Sequence, residues 1–222
     1  MDESSSARGG RSYSCGRRAG VLPERRRMTR AVLIPTEAGE FLAHFSERGL
    51  AGLDFPDRRH RHRPEKPADA VDSPDLPRWE RLTANALRSA LAGRPAGTLP
   101  PFDWRGATEF QQSIWRALLR IPIGHTRSYS EVAAAAGHPR AVRAAGSACG
   151  ANPIPVLVPC HRVVASGGRL GGFSGGLDWK RRLLGREGVQ MMPLSGSRIA
   201  ESVEALAVSR GDAFDDKHAA GV

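Results

Sequence analysis

The stretch Ser128-Tyr129-Ser130-Glu131-Val132-Ala133-Ala134-Ala135-Ala136-Gly137-His138-Pro139-Arg140-Ala141-Val142-Arg143-Ala144-Ala145-Gly146-Ser147-Ala148-Cys149-Gly150 decides the reading of the fold. Ser128 to Gly137 reads as a short helix, His138-Pro139 turns the chain, and Arg140 to Gly150 forms a second helix. By length and punctuation this is a helix-turn-helix. The second helix is almost bare of bulky side chains, because Ala141, Ala144, Ala145, Gly146, Ser147 and Ala148 cover it and Arg143 alone stands out. A helix this thin either packs closely on a neighbour or enters a minor groove too narrow for an ordinary recognition helix. In the second case one protruding arginine suits a wedge into the base stack. The segment by itself leaves both readings open.

On the N-terminal side, Thr108 is a good N-cap for a helix carrying Phe110, Ile114, Trp115, Leu118 and Leu119 on one face and ended by Ile121-Pro122. Pro100-Pro101 marks a break before it. Trp79 to Leu91 has apolar residues at helical spacing and is stopped by Gly93. Further back, Ala31 to Ile34, Glu40 to Phe45 and Gly49 to Phe55 read as short strands of a small sheet. Asp57 to Pro77, rich in Arg, His, Pro and Asp, reads as a flexible charged loop, so His60 and His62 within it are not read as metal ligands. Residues 1–27 lack hydrophobic periodicity and read as a disordered basic extension, with Met28 an alternative start. Residues 189–222 read as a flexible tail.

On the C-terminal side, Ile154 to Val158 reads as a short buried strand that delivers Cys160 to a tight turn at Pro159-Cys160-His161-Arg162. A thiol reacts as its thiolate, and a free cysteine's pKa of roughly 8.5 must be lowered by a cation, a base or a helix N-terminus. His161 is the candidate base, provided the chain bends enough for adjacent residues to face one another.

Composition bounds the partners. Three cysteines, odd in number and irregularly spaced, argue against a disulfide framework, and no C-x-x-C spacing suggests a metal. There is neither an apolar run of membrane length nor the apolar core of a signal peptide, so the sequence predicts a soluble cytoplasmic protein, free of any membrane. Of 33 basic residues only Lys66, Lys180 and Lys217 are lysines. Arginine's planar fork suits oxyanions, although a GC-rich genome gives the same bias. Net charge is +10; residues 1–27 carry +4 and residues 189–222 carry −2, which leaves 10 − 4 + 2 = +8 on the body between them. A basic body points to a polyanion, with nucleic acid the first candidate.

Taken in order, Phe110-Gln111-Gln112 with Trp115, Ile121-Pro122 with Gly124, Ser128-Tyr129, Arg143-Ala144 with Gly146, Asn152-Pro153, Pro159-Cys160-His161-Arg162-Val163-Val164 and Gly172-Phe173-Ser174-Gly175-Gly176 resemble the methylated-DNA–protein-cysteine methyltransferases, which repair O6-alkylguanine. The resemblance runs from about Pro101 to Gly188 and more loosely from Arg30. It implies an α+β protein: a small N-terminal α/β, RNase H-like domain over residues 28–100 and a C-terminal winged helix-turn-helix domain over residues 101–188 that holds the active site.

It also implies roles. Cys160 would accept the alkyl group, His161 would act as base through a water, and Glu187 would orient His161. Asn152 would be a hinge between the recognition helix and the active-site segment. Tyr129 would hydrogen-bond a ring nitrogen of the guanine. Arg143 would fill the space left by a flipped base, and Tyr129, Ser130, Ser166, Val163 and Ser174 would join it in contacting DNA. The partner would be double-stranded DNA containing O6-alkylguanine, and O4-alkylthymine is a further candidate substrate. The protein would be a monomer that acts once per molecule and needs no cofactor. Residues 28–100 contain no cysteine, so the zinc of some relatives is not expected here, and Phe173 stands where many relatives have tyrosine. The main competing reading is a non-catalytic lesion-binding protein, but those carry tryptophan at the acceptor position and this chain has Cys160. A winged-helix transcription factor would want a recognition helix rich in base-reading side chains, and a cysteine hydrolase would want an oxyanion hole.

Overall fold

The computed structural model describes residues 30–56 and 73–190. The basic extension, His60 and His62, and residues 191–222 of the C-terminal tail lie outside the described residues. The three expected strands are present as β1 (Arg30–Thr36), β2 (Gly39–Ser46) and β3 (Gly49–Asp54), an antiparallel meander in the order β1-β2-β3. β2 is buried from Phe41 onward, which makes it the centre of the sheet in packing as well as in order.

Helix α1 (Leu76–Leu91) packs on β1 and β3 through Leu76, Trp79, Ala86, Leu87 and Ala90. It begins three residues before Trp79 and takes in the end of the segment read as a loop to Pro77. The correction has a simple cause: proline is at home in the first helical turn, where its missing N–H is not needed, and Pro77 sits there. At the other end Gly93 has φ +71°, and a Cβ on it would lie 1.9 Å from the Arg186 carbonyl oxygen. The glycine therefore lets the end of α1 press against the end of the last helix, beside Glu187.

The chain then returns along the sheet. The Leu50 amide donates to Pro101 O at 2.8 Å and the Asp103 amide to Leu50 O at 2.8 Å, so the Pro100-Pro101 break is stitched to β3. Asp103 is held by Ser46 Oγ at 2.6 Å and by Arg105, and those hydrogen bonds outweigh its burial to leave its carboxyl at about 2.

Helix α2 (Glu109–Leu119) starts with a reciprocal cap between Thr108 and Gln111, which satisfies two otherwise orphaned amides. β4 (Arg127–Ser128) leads into α3 (Tyr129–Ala135), capped the same way by Ser128 and Glu131. A turn through Gly137 leads to α4 (Val142–Gly150). These helices pack on Ile114, Trp115, Leu118, Val132, Ala133, Ala145 and Ala148, and Trp115 Nε1 donates to Ala148 O at 2.9 Å. The small residues of α4 thus split between the two roles left open above: Ala145 and Ala148 are core, while Arg143, Ala144 and Ser147 face outward.

Ile154 to Val158 is not a strand. These residues are buried as expected, but they form a tight turn: the Val158 amide donates to Ile154 O at 2.9 Å and Val156 has φ +76°. Prolines at 153, 155 and 159 remove the amides a ladder would need. The turn ends in a single 3-10 turn (Cys160–Arg162), followed by β5 (Val163–Val164), which pairs in parallel with β4. A second 3-10 turn (Ser166–Gly168) precedes the final helix α5 (Leu177–Arg186).

Candidate active site

The 3-10 turn carries both Cys160 and His161 into the interior, 5% and 1% exposed. Cys160 Sγ accepts from Asn152 Nδ2 at 3.1 Å. The same amide nitrogen donates to Val158 O at 2.8 Å, and Asn152 Oδ1 accepts from the Ile154 amide at 3.0 Å. Asn152 therefore braces both ends of the turn that carries the thiol. Its own amide is tied to Cys149 O at 3.3 Å, at the end of α4. Burial raises the Cys160 thiol to about 11, with the Asn152 hydrogen bond and the charge of Lys180 pulling the other way. At neutral pH it is a thiol.

His161 Nε2 lies 2.9 Å from Glu187 Oε1. Glu187, the cap of α5, is 1% exposed in its side chain, and burial alone would favour its acid form. Hydrogen bonds from His161 and Arg162 reverse that and set it at about 2. An ionised carboxylate only accepts, so Nε2 carries the proton and Nδ1 presents a lone pair. Nδ1 is buried and has no partner among the described residues. Burial holds the His161 pKa below its ordinary value against the pull of Glu187. The imidazole is thus neutral, in a fixed tautomer, with its basic nitrogen free.

Two further residues complete the site, and sequence reasoning gave neither a role. Arg162 binds Glu187 in fork fashion, Nε to Oε2 at 3.0 Å and Nη2 to Oε1 at 2.9 Å, while Nη1 donates to Ile121 O at 2.6 Å. This guanidinium shares the carboxylate, and its own charge disfavours an imidazolium at His161. Lys180 is wholly buried and donates to the carbonyls of Val163 at 2.5 Å, Leu170, and Gly172 at 3.4 Å. Burial lowers it to about 8. It ties β5 to the glycine-rich loop, and its charge favours the Cys160 thiolate. A signal existed for it: one of three lysines in an arginine-rich chain, three and four residues before Leu183 and Leu184 on the apolar face of α5.

Tyr129 is half-buried at the start of α3. A Cβ added at Gly171 would lie 3.2 Å from its hydroxyl, and one at Gly146 would lie 3.7 Å from its ring, so the phenol sits between the glycine-rich loop and α4. Burial and the two nearby cysteines keep it protonated. Val163 is buried, and its carbonyl is engaged by Lys180. Ser174 lies in the loop with its hydroxyl buried and without a partner among the described residues. Arg143 is exposed on α4, Ser130 is exposed on α3 with its hydroxyl 2.8 Å from Ser128 Oγ, and Ser166 is exposed in its 3-10 turn. On one buried turn, Cys160 is thus hydrogen-bonded to Asn152 and His161 to Glu187, while Arg143, Ser130 and Ser166 are exposed on the surface. Among the described residues no group of three or more His, Cys, Asp or Glu is placed to hold a metal ion, and no helix is long and apolar enough to cross a membrane.

The profile of the 6-O-methylguanine DNA methyltransferase DNA-binding domain matches residues 109–189. The methylated-DNA–protein-cysteine methyltransferase of Methanosarcina barkeri is 41% identical over 155 residues, which are 68% of this chain and 92% of that protein. The chain belongs to the methylated-DNA–protein-cysteine methyltransferase family. The methyltransferase of Mycobacterium bovis is 54% identical over 93 residues, 40% of this chain and 56% of that one. The crystal structure of Mycobacterium tuberculosis OGT in complex with DNA aligns with a TM-score of 0.54 at 37% identity, over 72% of this chain and 92% of that one. Within this methyltransferase the profile begins at α2 and ends just past Glu187, so the whole constellation from Tyr129 to Glu187 lies inside it.

Proposed function

We propose that this protein repairs duplex DNA by taking the alkyl group of O6-alkylguanine onto Cys160, once per molecule. The observation that carries this is the line Cys160–His161–Glu187: a neutral buried thiol next to a neutral imidazole whose free nitrogen can take a proton and whose other nitrogen is fixed by a carboxylate. The logic is that of a nucleophile activated by an oriented base. The thiol proton passes through one water to His161 Nδ1, and Glu187 stabilises the imidazolium. Sγ then forms a bond to the alkyl carbon as the C–O6 bond breaks, its electron pair goes to the guanine, and the guanine takes up one proton. Tyr129 hydrogen-bonds a ring nitrogen of the leaving base and offsets its charge. A thioether is a poor leaving group, so the thiol is not restored.

A guanine in the stack cannot reach a thiol that is 5% exposed, so the reaction needs a flipped base. The exposed edge of α4 suits this, with Arg143 as the side chain that fills the gap and Ser130, Ser166 and the +8 body as DNA contacts. Backbone groups at Val163 and Ser174 read the base edge. In this reading residues 101–188 are a winged helix-turn-helix domain and residues 28–100 an RNase H-like domain, supported by the α3–α4 pair and by the antiparallel meander covered by α1. The protein works as a monomer on O6-alkylguanine in the cytosol.

The test is the intact mass of the full chain after incubation with a duplex containing one O6-methylguanine, with Cys160→Ala as control. One added methyl, mapped to Cys160 and absent in the control, supports the proposal. Binding without any gain in mass would sink it in favour of lesion holding.

A further inference from the structure

The loop Gly172-Phe173-Ser174-Gly175-Gly176 meets the site through Phe173, which faces His161, and it packs against Phe55 at the end of the N-terminal sheet. Phe55, the residue after β3, is 3% exposed and packs edge-on against Phe173 with ring centroids 5.8 Å apart. Phe173 in turn stands edge-on to His161 at 6.4 Å. Phe55 also packs on Trp179 at 4.9 Å, so its position is fixed from α5. The contact leaves no slack. A Cβ on Gly175 would meet Phe55 Cε2 at 2.6 Å and Phe173 Cε1 at 2.9 Å. The same strand also holds the segment beside Asn152, since the Leu53 amide donates to Pro153 O at 2.9 Å.

We infer that Phe55 is a positioning residue that sets the width of the alkyl pocket, holding Phe173 and Ser174 toward the thiol from behind. The inference rests on the alkyl-transfer reading above. Its physical basis is close packing: a ring wedged between Phe173, Trp179 and Phe41 transmits its volume to whatever it touches. Shortening Phe55 lets the loop recede from Cys160 and His161, which favours large alkyl groups and loosens the grip on small ones. Adding a methyl at Gly175 does the reverse, because the loop can escape Phe55 only toward the pocket. Phe55 meets His161 only by way of Phe173, so this is selectivity exerted through the loop.

The experiment measures second-order transfer rates of the full chain with duplexes containing O6-methylguanine or O6-benzylguanine. Phe55→Leu should raise the benzyl-to-methyl ratio roughly tenfold, a modest share of the on the order of 10²-fold that a 1 Å misplacement can cost. Gly175→Ala should lower the same ratio, and Phe55→Leu added to it should bring the ratio back. Phe45→Leu, an equally buried change in β2 away from the loop, should leave the ratio alone even if it lowers the melting temperature. An unchanged ratio in Phe55→Leu, a shift of equal size in Phe45→Leu, or a Gly175→Ala ratio that does not fall would each overturn the inference. Gly175→Ala decides the point if Phe55→Leu does not fold. Failure of the unaltered protein to transfer either group would instead sink the alkyl-transfer reading itself.

Discussion

Replacing Glu187 by Gln keeps the side chain's shape and removes its charge, and the structure fixes what that should cost. The carboxyl is held at about 2 against an ordinary 4.5; a difference of that size is worth about 3 kcal/mol at neutral pH. Removing one partner of a buried ion pair, which here strands Arg162, independently gives about 3–5 kcal/mol. The two routes agree near 3 kcal/mol, which for a chain of this size is a fall in melting temperature of roughly 6–12 °C. The sign follows from a depressed carboxyl: its stabilisation is complete above the unfolded pKa and is lost as pH falls from 4.5 toward 2. The gap between wild type and variant should therefore narrow to about 2 kcal/mol by pH 3.5. Adding Arg162→Met should restore much of the stability, because no charge is then left unpaired. It should not restore transfer, which falls on the order of a hundredfold with the loss of the group that stabilises the imidazolium. Urea unfolding across pH, paired with single-turnover transfer to an O6-methylguanine duplex, separates these outcomes. A variant that melts within about 2 °C of wild type, a gap that does not narrow in acid, or a double variant that recovers its rate would refute the reasoning.

Three other outcomes are expected. Asn152→Ala removes donors to Val158 O and Cys160 Sγ and the acceptor for the Ile154 amide; it should cost about 3 kcal/mol by denaturation and raise the Cys160 thiol above its present value near 11, seen as slower alkylation by iodoacetamide at fixed pH. Lys180 is lowered to about 8 from 10.5, so its charged form is penalised in the folded state and wild type should gain stability over Lys180→Met as pH rises from 8 toward 10.5, while the variant transfers more slowly at pH 7 for want of the cation. Because burial holds His161 below its ordinary 6.5, the transfer rate should fall in acid with a midpoint below pH 6.5; a midpoint above 6.5 in the pH–rate profile would contradict the neutral imidazole.

The parts of the fold written in local chemistry were legible. Thr108 with Gln111 and Ser128 with Glu131 close reciprocal caps, and both helix starts could be placed from those side chains. Pro159-Cys160-His161 announced a bend. What stayed hidden lay partly in prolines that break an apolar run and partly in partners far away in the sequence. Ile154 to Val158 has the apolar run of a strand, yet three prolines and a left-handed Val156 make it a turn braced by Asn152. Lys180 bonds only to carbonyls, in β5 and the glycine-rich loop, and a carbonyl has no residue signature. Arg162 was quoted within its motif but its partner is 25 residues away.

The acceptor's raised pKa bears on why the site is built this way. A surface thiolate activated in advance would react with any electrophile or oxidant, and for a group used once each such event inactivates the protein. Here burial keeps Cys160 protonated near 11, while everything needed to remove the proton is already in place: an oriented Nδ1, a carboxylate to hold the resulting imidazolium, and the Asn152 and Lys180 contacts that favour the anion. In the proposed reaction the thiolate forms only as a flipped base reaches the site and the proton passes to His161, among charges that bulk water screens little. Reactivity with small alkylating reagents should accordingly be low despite the catalytic constellation. A Cys160 that reacts with iodoacetamide at pH 7 as fast as a low-pKa active-site thiolate would show that it is ionised in the resting state, and would remove the basis for assigning proton transfer to His161.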